Sequence, residues 1–451
     1  MSSKYFGRRT TYTAAIAFSL AQPFVAAQGV DALLDRLRAS DAAAIAKAIE
    51  SVDERAAGSD EVLDELVFHL DDDRVLETNP IYTRTVGDAA FDKLRGLLPP
   101  PSEVTSRLPK LKTDGGLARA FNFVRYADRR DAEAYEHLLP YSAHEEEWVR
   151  MKAIAAMGVT AVDQRRLAAE LLKLLSDPSP FVRGSVVLCL QEREVPPDSE
   201  LVFRLIELLD DESTIYIGIS DHAGFSRRLC GEVARLLASI GPPAEPALPR
   251  LRSMAATHFD EYAILWSKTA ICAIETPPPP ELLDELGAMF VEDLSDERDG
   301  GGVVEAIAAL DERAAPLLVQ LELAKTHRSG SVRGQLPEAF FRIDPGSAVA
   351  RVLPLARDED ALVARAAIEQ LSEHAASGPE VVDAYAAALA RHDWVFDEPG
   401  RSAVDALRRL GGAALPAVPA LRRFSESEDV ADDLREETRL TIAEITAAAG
   451  R

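Results

Sequence analysis

Eight histidines and three cysteines are the residues whose types suit metal or nucleophile chemistry, and their spacing argues against both. His-Glu neighbours occur at His144-Glu145, and Glu-His neighbours at Glu136-His137 and Glu373-His374. Cys189, Cys230 and Cys272 each fall inside a helical apolar pattern, where a free thiol packs as a small hydrophobe. Without a CxxC pair, a redox motif or thiolate metal site lacks its signature. No P-loop, serine nucleophile motif or HExxH is present. Acidic runs are plentiful, at Asp71 to Asp73, Glu145 to Glu147, Asp210-Asp211-Glu212, Asp358-Glu359-Asp360 and Glu428-Asp429. None has the spaced oxygens of a calcium-binding helix-loop-helix. The reading is a non-enzymatic chain with no catalytic, cofactor or metal residue.

The elements around these runs are helices. From Ser176 the chain reads Ser-Asp-Pro-Ser-Pro, then Phe181-Val182-Arg183 and on to Leu190. Asp177 or Ser179 can cap a helix, and the proline after each suits the first helical turn, where a missing N–H costs nothing. Val182, Ser185, Val186, Cys189 and Leu190 then form one apolar face at i, i+3, i+4, i+7 and i+8. The same unit recurs. An apolar first helix, an acidic or polar turn and a second helix of this kind repeat from about residue 59 onward, in about eleven antiparallel pairs. Residues 28–58 are expected to cap the array and 59–451 to form it. The acidic runs precede second helices, where caps and dipole complementarity are worth about 0.3 to 1 kcal/mol apiece.

These features resemble the HEAT-repeat family, especially its short bacterial repeats, to which phycobilin-lyase-type HEAT repeats are similar. The residues carrying the resemblance are Asp177 with Val182-Arg183, and the proline-rich starts Gly241 to Pro249 and Leu415 to Leu421. It covers about residue 60 to the end of the sequence. The resemblance implies an all-α fold, an α-solenoid wound as a right-handed superhelix with second helices on its concave side. Stacking would bring turn carboxylates such as Asp177 near the arginines of adjacent repeats, Arg150, Arg183, Arg333 and Arg365, as a structural ladder. Gly300-Gly301-Gly302 and Lys268 depart from the arginine pattern.

Segments that break the template are the candidate partner contacts. Ser213 to Ser226 is the longest insertion within a pair, with Tyr216, Ile217, His222 and Phe225 in an apolar, strand-like stretch that needs a covering surface. His392 to Phe396, with Trp394 and Phe396, is a second aromatic turn. Phe121, Phe123 and Tyr126 read as core.

Charge narrows the partner. Asp and Glu outnumber Lys and Arg by 75 to 50, for a net charge of -25, a field that repels phosphate backbones and disfavours nucleic acid. Lysines number nine against forty-one arginines, and arginine suits fixed ion pairs better. The N-terminus has the pattern of a secretory signal over residues 1–27: Lys4, Arg8 and Arg9, an apolar run from Thr13, and Val25-Ala26-Ala27 before Gln28. Gln22 and Pro23 make it too polar for a membrane span. The expectation is an exported scaffold, periplasmic or extracellular, that binds a protein or peptide; without the signal it is cytoplasmic. The alternatives are a HEAT-fold enzyme or tetrapyrrole-handling protein, and a structural envelope component.

Overall fold

The computed structural model describes residues 24–450 apart from 79–82, 128–130, 161, 194–196, 221–222, 296–300 and 391–397. It describes backbone alone at 24–29, 218–220, 223–225, 293, 295, 301 and 398. The fold is an all-α solenoid built from antiparallel helix pairs, and it divides into two compact units at Leu236/Leu237.

In the first unit, helices Phe24–Leu37 and Ala42–Glu50 come before the repeats. Short first helices at Asp60–Phe68, Pro101–Thr105, Ala132–Leu138, Gln164–Leu174 and Ser199–Leu208 then alternate with second helices. The second helices used below are α1 (Val86–Leu97), α2 (Asp114–Tyr126), α3 (Glu147–Met157) and α4 (Pro180–Arg193). Local chemistry sets their starts. Thr85 and Asp88 form a reciprocal capping box at α1, and Thr113 accepts from the Gly116 N–H at α2. Each second helix packs on the next through buried residues such as Val149, Ile154 and Met157 on α3 and Val182, Val186, Val187 and Leu190 on α4. Burying a side chain of this size contributes about 1.5 to 3 kcal/mol. This stripe is the apolar face legible between Val182 and Leu190. Phe121 and Phe123 are core as expected. Tyr126 is only half-buried, with the Arg95 guanidinium 5.9 Å from its ring centre.

Two β-hairpins interrupt this unit, both between the first and second helix of a pair. The strand-like insertion is one of them: β3 (Thr214–Ser220) pairs antiparallel with β4 (Ala223–Arg228), Ile215 opposite Arg227 and Tyr216 opposite Ser226. The other was hidden behind the Asp71 to Asp73 turn: β1 (Val75–Thr78) pairs with β2 (Thr83–Thr85) across an irregular register.

The second unit runs on the same plan. First helices Leu248–Thr257, Pro280–Ser295, Leu318–Leu323, Pro345–Val352, Pro379–Ala388 and Val418–Glu426 alternate with Glu261–Ile274, Gly301–Ala308, α5 (Gly330–Ile343), α6 (Ala361–Glu373), Glu398–Leu410 and Asp432–Ala449. The proline-rich starts form 3-10 turns, Pro242–Ala247 and Gly411–Ala417, whose internal Pro246 and Pro416 lack the N–H a continuous α-helix would use. Gly241 and Gly411 enter them at positive φ, 69° and 55°, which glycine adopts without strain. The Gly300 to Gly302 departure coincides with a helix start at Gly301. Cys189, Cys230 and Cys272 are buried and form no disulfide among the described residues, and burial pushes the Cys189 and Cys272 thiols up to about 12. Among the described residues, no helix is long and apolar enough to cross a membrane.

Candidate functional site

The polar chemistry of both units gathers at the corners where second helices begin. A corner residue accepts a hydrogen bond from the backbone N–H two positions on: Asp177 from Ser179 at 2.9 Å, Asp211 from Ser213 at 3.0 Å, Asp358 from Asp360 at 2.8 Å. Histidine fills the same role elsewhere, His144 Nδ1 accepting from Glu146 and His327 Nδ1 from Ser329, each at 3.1 Å. His144, the histidine of the His-Glu pair, is thereby engaged in a turn, with its ring stacked near Tyr141.

Six residues beyond the His144, Asp177 and His327 corners, an arginine closes the ladder. Arg150 donates to the His144 and Glu145 carbonyls of its own corner and to both oxygens of Asp177 at the next, each at 2.9 Å. Arg183 repeats this with the Asp177 and Pro178 carbonyls and with Asp211, at 2.5 and 2.9 Å. Arg333 does so in the second unit, with the His327 and Arg328 carbonyls and with Asp358 at 2.7 Å. The planar fork of arginine fits this double duty. These are buried pairs, with side-chain exposures of 11% and 7% for Arg150 and Asp177. Burial alone would raise the Asp211 carboxyl, but hydrogen bonds from Ser213 and Arg183 outweigh it and hold the group below the usual carboxylate range. The bond to Asp358 pushes the Arg333 guanidinium up.

Arg365 stands out of phase. Ala364, fully buried, occupies the sixth position after Asp358, so Arg365 projects about 100° further round α6. Its Nε lies 3.8 Å from Glu369 on the same helix. The corner that follows lies outside the described residues. Lys268 pairs with Glu285 on the following helix, Pro280–Ser295, at 2.7 Å.

Arg119 was missed in the sequence, because it reaches backward. It donates to Asp88 at 2.9 Å, Asp73 at 3.0 Å, the Leu70 carbonyl at 2.7 Å and Thr85 Oγ1 at 3.0 Å. Asp71 likewise serves the next repeat rather than its own, accepting from the Lys112 and Thr113 N–H groups ahead of α2. The signal available was Asp71 to Asp73 paired with an arginine about one repeat later, obscured by Gly115-Gly116.

Of the candidate partner contacts, Tyr216 is 51% exposed on β3, and Ile217 beside it is half-buried and registered opposite Phe225. Phe225 is described by backbone alone, and His222, Trp394 and Phe396 lie outside the described residues. Ile215 fastens the hairpin: its Cδ1 lies 2.8 Å from where a Cβ on Gly184 would stand, so the strand rests on bare backbone of α4.

No family model matches the sequence, and no curated protein does. Among solved structures, the chain is similar to Kap121p in its complex with Ste12p, at 16% identity and TM-score 0.35, covering 95% of this chain and 50% of that one. It is similar to YIBA_ECOLI, at 15% identity and TM-score 0.35, covering 67% and 97%, and to an engineered protein at 17% identity and TM-score 0.27, covering 93% and 99%. The chain spans half the length of Kap121p. These overlaps are too loose to carry a partner or cargo over to this chain.

Proposed function

We infer that this protein is a non-enzymatic binding scaffold that holds a protein or peptide on its repeat surface. The observation carrying the reading is the β3–β4 hairpin, which is anchored on one side by Ile215 and presents Tyr216 to solvent on the other. Repeat stacks assemble large surfaces from many small contributions, and an exposed aromatic on a fixed hairpin is a good anchor for a partner. The ladder carboxylates are consumed by arginines and turns, which leaves binding to side chains outside it. The acidic balance of the chain supports a protein partner over nucleic acid.

Co-purification from the native source tests this: a stoichiometric protein partner is expected, and repeated recovery of the protein alone at low salt would overturn it. Export belongs to the same proposal and rests on the basic and apolar pattern of residues 1–27. Cell fractionation with N-terminal sequencing should find a chain starting at Gln28 outside the cytoplasm; an intact Met1 on cytoplasmic protein would refute export.

A further inference from the structure

Two corner histidines hold their turns closed with a ring nitrogen that acid can take away. A backbone N–H only donates, so Nδ1 of His144, which meets the Glu146 N–H at 3.1 Å, is bare and the ring proton sits on Nε2. The Ser329 N–H, also at 3.1 Å, fixes His327 in the same tautomer. Both histidines are half-buried. His258 closes a turn of the same kind with the Asp260 N–H at 3.0 Å.

The exchange of aspartate for histidine follows the arginines. Asp177, Asp211 and Asp358 each receive a guanidinium from the second helix behind, that of Arg150, Arg183 and Arg333 respectively. Among the described residues, no guanidinium reaches the ring of His144 or His327. Behind His144, Arg119 spends its donors on Leu70, Asp73, Thr85 and Asp88. Behind His327, the helix Gly301–Ala308 carries no arginine or lysine. A half-buried carboxylate without a cation is costly, whereas neutral imidazole accepts the same N–H without bringing a charge.

The charges around both rings are largely matched. At His144, Arg150 donates to the histidine carbonyl and pairs with Asp177, while Glu145, Glu146 and Glu147 are exposed. The stacking neighbour Tyr141 has its phenol pushed up by burial and stays neutral. Of the elements behind, α2 brings Arg119, paired with Asp73 and Asp88, and the exposed Asp114, and Ala132–Leu138 brings Glu133, Glu136 paired with Arg166 and His137 bonded to Thr105. At His327, Arg333 donates to the carbonyl and pairs with Asp358, Glu322 holds Lys325 and Arg351, and Arg328 is next in sequence. Asp360 lies against Gly330, and Glu305 is the one titratable residue of Gly301–Ala308.

We propose that His144 and His327 make the corners ahead of α3 and α5 mild-acid switches, closed while the imidazole is neutral and opened when a proton on Nδ1 confronts the backbone N–H. Histidine changes charge between about pH 5 and 8, whereas Asp211 keeps its charge to below 3.8. Each unit therefore loosens first at its histidine corner while the aspartate rungs hold. The charged ring loses the turn bond, so proton uptake favours the opened chain and stability rises with pH through the histidine range.

The test compares the full native chain with H144N/H327N. Asparagine Oδ1 accepts the N–H two residues on and does not titrate. Between about pH 7.5 and about pH 5.5 the native urea midpoint should fall further than that of the variant, since the other histidines are common to both. Hydrogen exchange, corrected for its intrinsic pH dependence, should show protection at 145–147 and 328–330 falling by up to about tenfold per pH unit in the native chain and staying level in the variant. NMR of chain labelled with 15N-histidine, assigned with H144N and H327N singly, should find both rings neutral and protonated on Nε2 at about pH 7.5. Midpoints that fall in parallel, native corner exchange unmoved by acid, or a proton on Nδ1 at that pH would each overturn the proposal. If the variants do not fold, exchange in the native chain decides alone.

Discussion

Arg150 and Asp177 face each other through two parallel N–H···O bonds of 2.9 Å, with both side chains almost wholly out of water. Each residue has a second duty. The arginine ties down the carbonyls of its own corner, and the aspartate closes the turn ahead of α4 through the Ser179 N–H. The rung therefore couples two adjacent turns.

Removing one partner leaves the other buried and uncompensated, a loss of about 3 to 5 kcal/mol in comparable pairs. Asp177→Ala should fall in that range and lower the urea midpoint of the first unit. Arg150→Met added to it should cost less than the sum of the two single changes. Strict additivity would show that the two side chains act independently.

Gly184 should resist the usual helix improvement. In an exposed helix, Gly→Ala gains roughly 1 kcal/mol. Here the new Cβ would lie 2.8 Å from Ile215 Cδ1 and 2.9 Å from its Cγ2, so the strand must move. Overpacking of this kind costs about 1 to 3 kcal/mol. Gly184→Ala should be neutral to destabilising, and hydrogen exchange at the β3 amides should quicken. A clear gain in stability with unchanged exchange would contradict the contact.

Much of this ladder was legible in the sequence, and the exceptions have physical causes. Arg150, Arg183 and Arg333 announce themselves because corner, helix start and arginine keep one spacing. Arg365 breaks it by a single residue, which looks trivial in a string but turns a side chain about 100° on a helix. The β1–β2 hairpin was illegible because Val75 to Thr78 is exposed or half-exposed on both faces, leaving no alternation to read. Ser213 to Ser226 betrayed its strand character through Ile215, Tyr216 and Ile217.

Acid should weaken the ladder, and the sign follows from Asp211. Its folded carboxyl lies below the ordinary value of 3.8, so its contribution is complete above that value and is lost as pH falls through the folded value. Asp88 follows the same course, burial opposing and the Thr85 N–H and Arg119 prevailing. Asp211→Asn should be less stable than the native chain at neutral pH, and the gap in urea midpoints should narrow below about pH 4. A gap that stays constant into that range would mean the carboxylate charge is irrelevant to the rung.

Arg333→Lys separates charge from shape. Arg333 makes four bonds at once, through Nη1 to the His327 and Arg328 carbonyls and through Nε and Nη2 to Asp358. A lysine ammonium keeps the charge but offers three donors from a single point, and it cannot span both corners. It must abandon either its own corner or Asp358, a buried group with 10% exposure. Hydrogen bonds to charged groups are worth about 1.5 to 3 kcal/mol, so Arg333→Lys should cost about that much despite conserving charge. The loss should approach that of Arg333→Met in the same thermal or urea series. A lysine variant as stable as the native chain would show that the rung needs only a positive charge, leaving the forty-one arginines against nine lysines without a structural reason at this corner.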